Sequence, residues 1–145
     1  MATGTVSETI QNGIPNTPNQ SPETYLGNER RNNSVSSTVP LIANQWSLGG
    51  KWNESNQSIT SLQNSSLKYN FSAKDIYLVL GGSGMISVKV DGKIQNPGKD
   101  VNNGSIIVDS DRMYHLVHSP LFLENSILEL EFSPGISAYA FTFGS

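Results

Sequence analysis

Two tryptophans, Trp46 and Trp52, bracket a Gly49-Gly50 turn in a stretch rich in Asn and Gln. Indole faces lying open beside amide side chains stack on sugar rings, whose axial C–H groups meet the π-cloud while their hydroxyls reach polar neighbours. The same two rings also suit the core or an edge of a β-sandwich, where large aromatics supply burial. Arg112 and Tyr114 stand two apart, so on a strand they share a face. Facing outward they would grip a hydroxyl or carboxylate through the guanidinium fork. Facing inward, Arg112 would pair with an acid such as Asp100 and hold a loop, the role favoured here.

Other candidates have weaker chemistry. Asp100, Asp109 and Asp111 offer oxygen ligands of the kind calcium prefers, but without EF-hand spacing, and Asp in turns ordinarily caps its own backbone. His115 and His118 are three apart, which on a regular strand sends them to opposite faces, so no metal site is expected of them. Glu129 and Glu131 share a face as the solvated side of an alternating strand, not as an acid–base pair. Gly81-Gly82-Ser83-Gly84 precedes no helix and no Lys-Ser/Thr, so it reads as a hairpin turn rather than a phosphate loop, and no G-x-S-x-G elbow occurs. No catalytic constellation emerges, and neither a cofactor nor enzyme activity is expected.

The elements that position these residues follow from composition and patterning. The chain has 145 residues, one domain's worth, with 36% hydrophobic and 14% charged residues and a net charge of −3. The low charge and the aromatic content place it among folding chains rather than disordered ones. It has no cysteine, which excludes a disulfide, a thiolate nucleophile and a redox C-x-x-C. Nine basic against twelve acidic residues leave no electrostatic footprint for nucleic acid. Apolar runs are too short for direct membrane insertion, and Met1 to Gly4 lacks the features of a secretory leader.

Residues 1–22 carry three prolines and no aromatic ring, and are expected to be a flexible linker to a single β-sandwich over 23–145. From Trp46 onward strands and turns recur at the spacing of a sandwich or barrel. Leu67, Tyr69, Phe71 and Ala73 alternate with polar residues. Ile76 to Leu80 is continuously apolar and reads as a central strand buried on both faces. Ile86, Val88 and Val90 alternate up to Asp91-Gly92, a tight-hairpin signal returning through Lys93 to Gln95. Arg112 to His118 and Leu128 to Phe132 read as two further strands, with at most one helical turn between them around Pro120. In the last strand Tyr139, Phe141 and Phe143 form one stripe, either inner-sheet core or a docking surface for a neighbouring domain. The expected architecture is all-β, an antiparallel two-sheet jelly-roll sandwich.

Several blocks carry a family resemblance. They are Ser21 to Gly27 (S-P-E-T-Y-L-G), Trp46 to Trp52 (W-S-L-G-G-K-W), Ala73 to Gly81 (A-K-D-I-Y-L-V-L-G) and Val88 to Gly92 (V-K-V-D-G). Gly98 to Val101, Arg112 to Val117 and Pro134 to Gly144 (P-G-I-S-A-Y-A-F-T-F-G) complete the set. In order and spacing these resemble the C-terminal modules of DipZ-type thiol–disulfide interchange proteins, over residues 21–144. The resemblance implies a carbohydrate-binding-module-like jelly roll following a periplasmic thioredoxin-like domain that holds the redox C-x-x-C. It implies a non-catalytic accessory domain in a periplasmic or other extracytoplasmic setting. The thioredoxin-like domain of the same parent protein is then its partner. Either an envelope glycan is its ligand, bound through Trp46, Trp52, Arg112 or Tyr114, or it is a purely structural scaffold with an apolar patch near Tyr25-Leu26. His118 stands where the family often has a basic residue just after the Leu-Val pair, which would make an anion contact there pH-dependent.

Overall fold

The computed structural model describes residues 20–145, and among them there is no helix. Nine strands form one antiparallel sheet: β1 (Thr24–Tyr25), β2 (Trp46–Gly49), β3 (Trp52–Glu54), β4 (Ile59–Ser61), β5 (Ser65–Gly82), β6 (Gly84–Val90), β7 (Ser105–Val108), β8 (Arg112–Phe132) and β9 (Ile136–Gly144). The order is β3-β4-β9-β5-β8-β6-β7, with β1 on β9 and β2 on β5. The sheet does not close into a barrel.

Two long strands organise everything else. The segments expected as separate strands on either side of Lys74 are one, β5, and those on either side of Pro120 are likewise one, β8. No helical turn separates the halves of β8. Instead the ladder breaks near the middle, with register shifts between Phe71 and Ala73 and between Ala73 and Asp75. Pro120, which has no N–H to give, sits in that break, where Ser119 Oγ accepts from the Leu121 amide and donates to its carbonyl.

The break divides the pairing. The first half of β5 lies between β2 and the second half of β8, which carries β6 and then β7. The second half of β5 lies between the first half of β8 and β9. Rings from the two halves meet in one core. Tyr69 packs against Phe141 and Phe143 at 5.3 and 5.1 Å between centroids, and Trp52 meets Phe132 edge-on at 4.9 Å. Burying each such side chain contributes roughly 1.5–3 kcal/mol.

Three local expectations change. Ile76, Leu78 and Leu80 are buried while Tyr77 and Val79 are only half-buried, so this run has an outer face. Gly81 to Gly84 turns the chain, but β5 and β6 do not pair, so it is no hairpin. It links one half of the sheet to the other. After Asp91-Gly92, both at positive φ as a tight turn requires, only Lys93 returns to the ladder, opposite Val90. The Asn-rich composition finds its use here: six asparagines, at 33, 44, 64, 96, 103 and 125, adopt the left-handed backbone that Asn tolerates.

Residues 1–19 of the expected linker lie outside the described residues. Gln20 to Pro22 take part in the domain: Gln20 Nε2 donates to the Phe143 carbonyl, and the amide of buried Ser21 donates to Ser72 O at 2.9 Å.

Candidate functional site

The four residues singled out by type do not come together. Trp46 is wholly buried, its Nε1 donating to Asn32 O at 2.7 Å, so neither ring face is open to a sugar. Trp52 is half-buried, its edge on Phe132 and its Nε1 donating to Gly49 O. Tyr114 is buried, and its hydroxyl donates to Ser110 O at 2.7 Å, closing the β7–β8 turn. Arg112 lies over the Tyr114 ring at 3.8 Å and pairs with Asp100 at 3.0 Å, half-exposed rather than inward. The three turn aspartates are spread out. Asp100 serves Arg112 and the His115 amide, Asp111 accepts from the Gly82 amide, and Asp109 accepts from Ser110 Oγ. The Arg112 bond, with the His115 amide, holds the Asp100 carboxyl below the usual aspartate range.

Two β-bulges create what the pattern did not show. On β9, Val79 pairs with Ala140 and Leu80 with Ala138, leaving Tyr139 as the extra residue. Phe141 and Phe143 stay in the core, while Tyr139 leaves their stripe and reaches the outer face beside Ala140. There it lines a groove of about 560 Å³ with Tyr25, Gly27, Glu29, Arg30, Asn56 and Gln57.

The junction segment builds the other wall of this groove. Thr24 and Tyr25 pair with Phe141 and Ala140, and the Leu26 amide donates to Tyr139 O. The amides of Asn28 and Glu29 then donate to the carbonyls of Ser55 and Asn56. Position 27 must be glycine, because a Cβ there would fall inside the backbone of Asn56 and Gln57. Arg31 braces the turn from below: Nε and Nη2 both donate to Leu26 O at 3.0 and 2.9 Å, and Nη1 pairs with Glu54 at 2.7 Å. Arg30 lies over the Tyr25 ring at 4.5 Å. Two phenols, a guanidinium, a carboxylate and two amides thus line one concavity, an arrangement suited to a polar ligand with flat apolar faces or to a segment of polypeptide. Tyr25 was legible as part of a possible docking patch; Arg30, Asn56, Gln57 and the outward Tyr139 were not.

The groove opens on an outer sheet face. Registered across the strands, Tyr25, Ala140, Val79 and Met113 form one row, and Thr142, Tyr77 and His115 the next. Met113 is 48% exposed.

The second bulge corrects the expectation for the histidines. Ile76 pairs with Val117 but Tyr77 with His115, so Leu116 is extra and two consecutive buried residues separate the imidazoles. His115 and His118 therefore share a face. His115 Nε2 and His118 Nδ1 lie 2.9 and 2.7 Å from the same oxygen, Asp75 Oδ1. Burial alone would raise the Asp75 carboxyl, but the bonds and charges of His118 and His115 hold it below the usual aspartate range. Tyr77 stacks on His115 at 4.4 Å. Among the described residues this is the one cluster whose donor atoms could hold a metal ion.

The chain is similar in sequence to known proteins. A family model described as the thioredoxin like C-terminal domain matches residues 21–144, starting at the buried Ser21. Protein DipZ of Mycobacterium bovis and Protein DipZ of Mycobacterium tuberculosis are each 32% identical over 105 residues, 72% of this chain. The match covers 14% of the length of each.

Proposed function

The chain belongs to the thioredoxin-like C-terminal domain family, and from that membership we propose that it is a non-catalytic accessory domain of an extracytoplasmic thiol–disulfide exchange protein, positioning that protein's thioredoxin-like domain. With no cysteine in the chain, the exchanging thiols belong to that other domain. In this reading the two halves of the sheet are the layers of a jelly-roll sandwich of carbohydrate-binding-module type, used as a rigid mount.

One observation carries the reading. The segment that would join the two domains is built into the sheet, through Ser21 on Ser72, β1 on β9 and Leu26 on Tyr139. A joint fixed by strand pairing fixes the direction of whatever precedes it, and the half-apolar outer face with Met113, Val79, Tyr77 and Tyr25 lies beside it. The test joins this chain to its thioredoxin-like domain and compares backbone amide NMR shifts with those of the chain alone. Shifts at Tyr25, Tyr77, Val79, Met113 and Ala140 are expected. Unchanged shifts there, with the two domains tumbling independently, overturn the reading.

The groove favours a second reading, recognition of an envelope glycan by Tyr25 and Tyr139 with Arg30, Asn56 and Gln57. Titration of a glycan panel into the chain tests it: saturable shifts at Tyr25, Gln57 and Tyr139 support it, and a flat response removes it.

A further inference from the structure

Both histidines of this chain, and it has only two, converge on one carboxylate oxygen. We propose that Asp75, His115 and His118 form a binding site for a single late first-row divalent cation, Zn²⁺ being the reference case. The proposal is independent of the groove and of any thioredoxin-like partner.

The donor set selects the ion. Two imidazole nitrogens and a carboxylate oxygen suit Zn²⁺, Cu²⁺ or Ni²⁺. Calcium and magnesium demand oxygen ligands and find only Asp75 here. Three ligand atoms, one from each residue, all lie within 4.8 Å of one another, so small rotations of the rings would bring them around one ion. Two of the three ligands are already held. His115 is clamped by its stack on Tyr77, and Asp75 stands on β5 opposite His118 in the ladder. The third is adjustable: the His118 side chain is 61% exposed, which leaves the remaining coordination position open to water.

The proton balance identifies a reporter. In the metal-free cluster His115 Nδ1 accepts the Lys99 amide, so its Nε2 carries a proton and donates to Asp75 Oδ1, the oxygen that His118 Nδ1 also meets. An ion takes the two nitrogens that face Asp75 by their lone pairs, so each ring must carry its proton on the other nitrogen. For His118 that nitrogen is Nε2. For His115 it is Nδ1, which now accepts from the Lys99 amide at 3.2 Å. Metal binding therefore breaks the Lys99 bond. The loop around it is otherwise anchored, since the Gly98 amide donates to Leu116 O and a Cβ at Gly98 would strike the His115 carbonyl. The change should stay confined to Lys99.

The experiment titrates ZnCl₂ into tag-free, metal-stripped 145-residue chain, read by calorimetry and by backbone amide NMR. One ion per chain should bind saturably, with the largest shifts at Lys99, His115 and Tyr77, while CaCl₂ gives none. His118→Gln, a change at an exposed side chain, should weaken binding by at least about tenfold, and Asp75→Asn should do likewise. Absence of saturable uptake overturns the proposal, as does uptake that His118→Gln leaves unchanged. Should Asp75→Asn not fold, the wild-type titration and His118→Gln still decide the matter.

Discussion

The Tyr69 hydroxyl lies 2.6 Å from Thr24 Oγ1, joining the core of β5 to the junction strand β1. Thr24 Oγ1 also donates to Pro22 O at 2.9 Å, which uses its single proton, so in this arrangement Tyr69 is the donor between the two. The direction of that bond decides which substitution is worse. Thr24→Val strands a buried phenol with no acceptor and should cost about 1–3 kcal/mol. Tyr69→Phe leaves Thr24 its bond to Pro22 and should cost about 1 kcal/mol or less. Urea unfolding of the two variants checks the order; equal costs would mean that the bond runs the other way.

The same phenol sets an alkaline limit. Burial pushes the Tyr69 hydroxyl up to about 12. A folded value above the unfolded one of about 10 means that the native state holds the proton more tightly. Its contribution is therefore complete below about pH 10 and is lost as pH rises through about 12, on the order of 2–3 kcal/mol in all. Stability measured from pH 9 to 12 should fall in the wild type and be flatter in Tyr69→Phe. Parallel curves would assign the alkaline limb to other groups.

The two tryptophans should separate in fluorescence. Trp46 is sealed in the core and Trp52 is half-open at the edge of Phe132. Iodide should quench only part of the emission. Trp52→Phe should remove the quenchable part and leave a blue-shifted remainder, whereas Trp46→Phe should leave the quenchable part and lower stability through the lost packing. Quenching that persists in Trp52→Phe would show that Trp46 is accessible.

What the sequence disclosed and what it withheld have one physical boundary. Alternation was readable wherever a strand keeps strict period two. Ile86, Val88 and Val90 are buried, as are Leu128, Leu130 and Phe132, and the final Phe141 and Phe143 reach the core. The junction block at Ser21 to Gly27 was readable through its resemblance. Bulges were not readable, because one extra residue leaves no composition signal and yet exchanges faces for everything beyond it. Leu116 thereby brought His115 and His118 together, and the extra Tyr139 opened the groove. The continuity of β5 through Lys74 and of β8 through Pro120 was hidden for a related reason. Polar residues and a proline read as turn signals, and here they occupy the break in a ladder that resumes beyond it.

Asp100 and Arg112 form a pair whose two members should not be equal in a mutational test. Arg112 is half-exposed, and its bond to Asp100 Oδ1 at 3.0 Å is a surface ion pair, worth about 0–1 kcal/mol. Asp100 does more: its other oxygen accepts the His115 amide at 2.8 Å, tying the loop before β7 to the bulged part of β8. Arg112→Gln removes the first bond, the exposed Nη1 bond to Met113 O at 3.1 Å and a ring cover over Tyr114. Asp100→Ala removes both bonds to the carboxylate and leaves the partly buried His115 amide without its acceptor, a further cost of about 1–3 kcal/mol. Thermal unfolding should therefore rank Asp100→Ala well below Arg112→Gln, and salt should narrow the difference between wild type and Arg112→Gln while leaving the Asp100→Ala deficit largely in place. If the two variants unfold together at every salt concentration, the ion pair rather than the amide bond is what holds the loop.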